Sequence, residues 1–254
     1  RGGAVSGGRA FVLGASSGLG AHLARRLAEE GWEVLGTGRR TEADLPGAVR
    51  YLRADLEVDA DRAEVAAQLH DTSPDLIVHS AVTYGERSGS ARSLEAIDAM
   101  FRVNASAPFV LLRDHLAALP ADRACSCVVV NSDSIFHANQ TSAEYAATKA
   151  ALRVLTAGLA SACRGRRSSV ATLALGPLAD PRKLGEMRAI AERRQMPVED
   201  VVQTYLTRSN PSLVITELID LDACLRSVLH IAGLGPTANG MVLRLDGGSS
   251  GSLV

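Results

Sequence analysis

Lysine is nearly missing from this chain. Its 254 residues hold twenty-five arginines but only two lysines, Lys149 and Lys183. Net charge is also small, at −1, so electrostatics makes no case for a nucleic-acid partner or a membrane surface. No run of one charge sign is long enough to form a tail. Cysteine is limited to Cys125, Cys127, Cys163 and Cys224. The Cys-Ser-Cys pair has no second Cys or His pair at zinc spacing, so no metal site is expected. Free buried thiols suit a reduced compartment, and a cytoplasmic protein is expected. No apolar run nears the ~20 residues of a membrane span. The opening "RGGAVSGGRA" has neither a methionine nor an apolar stretch. Residues 1–8 are read as disordered or as an expression remnant, not as a signal peptide.

What is present is an alternation. Short apolar runs at 9–15, 32–38, 49–55, 75–81, 125–132, 169–175 and 241–247 read as strands. Most are continuously apolar, as strands covered on both faces are. Helical patterns separate them. The first, "GLGAHLARRLAEEG", ends on a glycine stop at Gly31. The stretch "LEAIDAMFRVNASAPFVLLRDHLAAL" reads as two helices. The expected fold is α/β, a Rossmann-type doubly wound, seven-stranded parallel sheet with helices on both faces. Residues 9–254 form one dinucleotide-binding domain. An insertion at about 178–214 does not fit a short crossover, and its two helical patterns make it a candidate substrate lid.

The first strand runs into "GASSGLG", with Gly14, Gly18 and Gly20, and then directly into a helix. Such a turn needs residues without a Cβ. The helix N-terminus then offers free N–H groups to a pyrophosphate. The second strand ends in Gly38-Arg39-Arg40, where a carboxylate would bind a ribose 2′-hydroxyl. Arginine suits a 2′-phosphate instead, which favours NADP(H) over NAD(H). Asp55 reads either as an adenine contact or as a turn carboxylate.

Tyr145 and Lys149 are four apart on one predicted helix and share a face. An ammonium beside a phenol is expected to lower the phenol pKa and fit it for proton transfer. Ser132 ends the fifth predicted strand, where ligands sit in open α/β sheets. These features, with "RVNASAPF" around Asn104 and "DGG" at 246–248, make the chain resemble the short-chain dehydrogenase/reductase family, in its compact single-domain branch. It is similar to 3-oxoacyl-carrier-protein-reductase-like members. The resemblance runs from "FVLGASSGLG" to "VLRLDGG".

The resemblance implies roles. Tyr145 donates a proton to a carbonyl oxygen, Lys149 bonds the nicotinamide ribose and tunes Tyr145, Ser132 polarises the carbonyl, and Asn104 holds a relay water. Ser134 is the alternative serine. The implied cofactor-binding set is Gly14, Ser16, Ser17, Gly18, Leu19, Gly20, Arg39, Arg40, Asp55, Leu56, Ser80, Ala81, Tyr145, Lys149, Gly176, Pro177 and Leu178. The implied activity is NADPH-dependent reduction of a ketone or 3-oxoacyl-type carbonyl. The substrate would be a small carbonyl compound, free or carrier-bound. Oxidation of an alcohol and a silent NADP(H)-binding scaffold are the alternatives. A homotetramer or homodimer is implied as well.

The chain departs from the family pattern after the fourth strand, where "HSAV" replaces Asn-Asn-Ala-Gly. His79 is expected to take over the sheet-bracing hydrogen bonds of the asparagine. Val82 adds bulk beside the cofactor pocket. "LGP" at 175–177 replaces Pro-Gly yet keeps Gly176. Asp133, after Ser132, is expected to point away from the site, with a hydrogen bond to the substrate as the alternative. Tyr84, Arg87, His137, Asn139 and Gln140 stand in loops expected at the pocket entrance. In the lid, Met187, Met196 and Leu206 are expected to serve packing.

Overall fold

The computed structural model describes residues 7–41, 43, 45–85, 92–136 and 142–249. Seven strands form one sheet: β1 (Arg9–Leu13), β2 (Glu33–Gly38), β3 (Val49–Arg53), β4 (Leu76–His79), β5 (Ser126–Ser132), β6 (Ser169–Leu175) and β7 (Val242–Leu245). All pairings are parallel, in the order β3-β2-β1-β4-β5-β6-β7. Chain order therefore reverses between β1 and β4. That switch point opens a crevice at the carboxyl ends of the strands. Several strands are shorter than the apolar runs that announced them. At β1 and β4 the apolar run continues into the loops that line the crevice.

Alternation along each strand builds two cores. Ala10, Val12, Val78 and Val128 face one side, packed by Leu19, Leu23 and Leu27 of α1 (Gly18–Glu29) and by Cys224, Leu225 and Val228 of α8 (Leu221–Leu234). Phe11, Leu13, Ile77 and Val129 face the other. There they meet Leu69 of α2 (Asp59–Thr72), Leu112 of α4 (Ala107–Ala118) and Leu152 of α5 (Ala143–Ala162). Fully burying one such aliphatic side chain contributes about 1.5–3 kcal/mol. The four cysteines are buried among these groups. Among the described residues no helix is long and apolar enough to cross a membrane.

The stretch expected as two helices has no gap. α3 (Leu94–Phe101) passes into a π-helical turn, Arg102–Ser106, and then into α4. The turn carries Asn104. In the insertion, α6 (Pro181–Arg194) starts on an Asp180 cap that accepts from the Lys183 N–H at 3.1 Å. α7 (Val198–Ser209) follows a left-handed Gln195. Met187, Ala191 and Val201 form a small core of their own between these helices, as expected of the methionine, and Leu206 is also buried.

Candidate active site

Two adjoining cavities open at the carboxyl ends of the strands. The larger, about 430 Å³, is bounded by Ser17, Gly18, Leu19, Gly20, Ser80, Ser132, Tyr145, Lys149, Gly176, Pro177 and Leu178. The smaller, about 150 Å³, is bounded by Gly14, Ser16, Ser17, Arg39, Arg40, Asp55, Leu56, Ser80 and Ala81. Ser17, Ser80 and Val82 border both, so the two make one cleft. Every residue of the expected set lines it except Asn104. Arg87, His137, Asn139 and Gln140 lie outside the described residues.

The glycine turn is built by close packing. A Cβ on Gly14, where φ is +91°, would lie 2.5 Å from the Ala81 backbone. One on Gly20 would lie 2.0 Å from the Gly14 carbonyl oxygen. Gly18, at φ +54°, has nothing within 4 Å of that position. Gly176 is a close approach too, since a Cβ there would lie 2.6 Å from the Asp246 carbonyl oxygen. The Ser17 side chain does not cap α1, and the first turn holds no acidic residue. The cleft therefore meets an uncapped helix N-terminus, which favours an anion. Arg39 and Arg40 are exposed, and neither pairs with a carboxylate among the described residues. Asp55 spends one carboxylate oxygen on the Glu57 N–H at 3.0 Å, the turn role open to it from the sequence.

On the other side, β5 and α5 bring Ser132, Tyr145 and Lys149 together. Asn131 ties them: its Oδ1 accepts from the Ser132 N–H at 2.8 Å and its Nδ2 donates to the Lys149 carbonyl at 3.1 Å. Sequence reasoning missed Asn131, although a lone amide closing the apolar run "CVVV" is a signal for it. Ser134 Oγ donates to Ser132 Oγ at 2.9 Å. Ser132 Oγ donates to Asp133 Oδ1 at 3.1 Å, and Asp133 borders the larger cavity. The expectation that Asp133 points away is thus overturned. A short 3-10 turn, Asp133–Ile135, follows the strand directly, with Ser132 Oγ accepting from the Ser134 N–H at 3.2 Å.

Tyr84 stacks on Tyr145, with ring centroids 5.0 Å apart, and Lys149 Nζ stands 5.9 Å from the Tyr145 ring. The phenol pKa moves opposite to expectation. Burial raises it, the neighbouring Tyr84 adds to this, and a hydrogen bond with Ser132 offsets only part. Burial also lowers Lys149, to about 8. Both shifts express one cause: a site that disfavours charge. At neutral pH the phenol keeps its proton.

Asn104 is buried, and its side chain is already engaged. It accepts from the Thr83 N–H at 2.8 Å and donates to the Thr83 carbonyl at 2.9 Å and to Thr148 Oγ1 at 3.1 Å. It fastens the loop after β4 to α5 from its place in the π turn.

His79 corrects another expectation. It is fully buried, and among the described residues neither ring nitrogen has a hydrogen-bond partner, so it does not brace the sheet. Burial, with help from the Lys149 charge, lowers its pKa from 6.5 to about 3. The native state therefore holds His79 neutral, whereas the unfolded chain protonates it below 6.5. That contribution to stability is complete above pH 6.5 and is lost as pH falls toward 3. Urea titrations of wild type between about pH 5.5 and 4 should lose about 1.4 kcal/mol per pH unit more than those of His79→Asn. Equal slopes would mean that His79 is protonated in the fold.

The family model described as short chain dehydrogenase matches residues 9–185. Serine 3-dehydrogenase of Agrobacterium fabrum is 30% identical over 181 residues, 66% of this chain and 71% of that protein. An uncharacterized oxidoreductase of Emericella nidulans, AN7799, is 31% identical over 111 residues. That match spans 41% of this chain and 44% of the relative's length. A solved structure of a short chain dehydrogenase/reductase family protein superposes with a TM-score of 0.77 at 25% identity, covering 98% of this chain and 99% of that one.

Proposed function

The chain belongs to the short-chain dehydrogenase family, and on that premise we propose that it is an NADPH-dependent ketoreductase. The observation that carries this is the Tyr145 phenol beside Ser132 and Lys149, at one end of a cleft whose other end offers Arg39 and Arg40, unpaired with any carboxylate among the described residues. The residues fit a phosphorylated dinucleotide. The uncapped N-terminus of α1 suits the pyrophosphate, and Arg39 with Arg40 suits a 2′-phosphate. When bound, the reduced nicotinamide supplies the hydride.

The chain's own groups would do the rest. Ser132 Oγ–H, swung from Asp133, hydrogen-bonds the substrate oxygen and orients it. Tyr145 Oη holds the proton that the developing alkoxide needs, worth typically 10²–10⁴ in rate. Lys149, cationic at neutral pH, bonds the ribose and favours the phenolate left behind. Asn104 keeps the loop after β4 against α5, so that Tyr84 stays on Tyr145. The segment 178–214 serves as the lid, with Asp180, Lys183 and Tyr205 bordering the cavity. The protonated phenol suits reduction, which consumes a proton at the carbonyl oxygen, whereas alcohol oxidation needs a base there. The oxidative reading has one support, the relative named serine 3-dehydrogenase. Val110 of α4 and Val154 of α5 are exposed by 40% and 72%, which supports a homo-oligomer formed through those helices.

Arg39→Ala tests the cofactor half. Losing a charge-assisted contact to phosphate should weaken NADPH about 10- to 100-fold and leave NADH nearly unchanged. Direct titration of both cofactors measures it. Equal weakening of the two would remove the case for NADP(H).

A further inference from the structure

Tyr51 has no part in the reading above, yet its hydroxyl occupies a specific place. It stands on β3 opposite Gly36 of β2, half-buried, and reaches the end of β2. The hydroxyl oxygen lies 2.8 Å from the Gly38 carbonyl oxygen and 2.9 Å from the Arg40 carbonyl oxygen. These are the two carbonyls on either side of Arg39. One phenolic proton is shared between them. The glycine turn closes on the same point: a Cβ on Gly38 would lie 2.7 Å from Ser16 Oγ and 3.0 Å from the Tyr51 hydroxyl.

We infer that Tyr51 is the positioning residue for 2′-phosphate selectivity, its hydroxyl clamping the backbone on both sides of Arg39 so that Arg39 and Arg40 are held ready for the phosphate. This rests on the NADP(H) reading of the cleft. The physical reason is preorganisation. Fixing one loop residue costs about 1–2 kcal/mol of backbone entropy, and a loop already fixed does not spend that on binding. The two carbonyls are not equally dependent on Tyr51. Gly38 O also accepts from the Ala54 N–H at 2.8 Å, whereas Tyr51 is the one partner the Arg40 carbonyl has among the described residues. Loss of the hydroxyl therefore frees the Arg40 side of the loop. The nearby Arg53 is engaged elsewhere, paired with Asp61 at 3.2 Å.

Tyr51→Phe keeps the ring and removes the clamp. Calorimetric titration of the apo protein should show NADPH and the probe 2′,5′-ADP each weakened about fivefold, as loss of a ~1 kcal/mol bond implies, with NADH unchanged. The apo melting temperature should stay within a few degrees of wild type, which separates a selectivity change from general damage. Equal weakening of NADPH and NADH, or no change in either, would overturn the role of Tyr51. Arg39→Ala measured in parallel separates the two levels. If Arg39→Ala loses discrimination and Tyr51→Phe keeps it, the inference fails alone. If wild type itself does not prefer NADPH, the cofactor reading fails and takes the inference with it.

Discussion

Tyr145→Phe should lower kcat/KM for carbonyl reduction by about a thousandfold and leave the Kd for NADPH within about twofold. The substitution removes one oxygen and one proton. The ring, its stacking on Tyr84 and its place beside Lys149 stay as they are. A large loss confined to turnover therefore reports the hydroxyl, through the proton it donates and its hydrogen bond with Ser132. Steady-state kinetics with a parallel binding titration measures both numbers. Activity within tenfold of wild type would sink the role given to Tyr145. Loss of NADPH binding along with turnover would mean that the phenol is a structural post.

Gly20→Ala should be the most damaging glycine-to-alanine change among the described residues. Gly20 sits in the first turn of α1, where alanine would gain about 1 kcal/mol from helix propensity alone. Sterics opposes this and wins. The new Cβ would stand 2.0 Å from the Gly14 carbonyl oxygen and 2.8 Å from its carbon. Both neighbours are backbone, and neither swings away as a side-chain tip would. Overpacking of this kind costs about 1–3 kcal/mol and more where nothing yields. Urea unfolding should show a loss of about 3 kcal/mol or greater, with NADPH affinity down at least about a hundredfold as the turn is displaced. Gly18→Ala is the control for stability alone, because its Cβ would meet no protein atom within 4 Å and only the strain of a left-handed φ, although it borders the cofactor cleft. A Gly20→Ala protein as stable as wild type would show that the turn can relax in a way this packing excludes.

Features that depend on local order were legible in the sequence. The apolar runs are strands because both faces of a parallel sheet are covered. The glycines and Arg39 follow directly from the ends of β1 and β2. Tyr145 and Lys149 share a helix face at spacing four. Features that depend on contacts across the chain were not legible. Asn104 meets Thr83 and Thr148, 21 and 44 residues away, so no local pattern announces that its amide is already engaged. His79 was expected to brace the sheet because imidazole can donate and accept. What decided otherwise is the partner set around it, and spacing does not encode that. The pKa of Tyr145 failed for a related reason: proximity to lysine is readable from i,i+4, whereas the burial that outweighs it is a property of the whole cavity. Tyr51 escaped because its partners lie at the end of the neighbouring strand and in the loop after it, 13 and 11 residues back.

The most direct test of the central claim follows the hydride. Wild-type protein is mixed with NADPH carrying deuterium at both C4 positions and a panel of ketones and 3-oxoacyl thioesters, and the products are read by mass spectrometry. The expected result is an alcohol carrying one deuterium on its carbinol carbon, formed by wild type and absent with Tyr145→Phe. Saturable NADPH binding with no deuterium transferred to any member of the panel would contradict it.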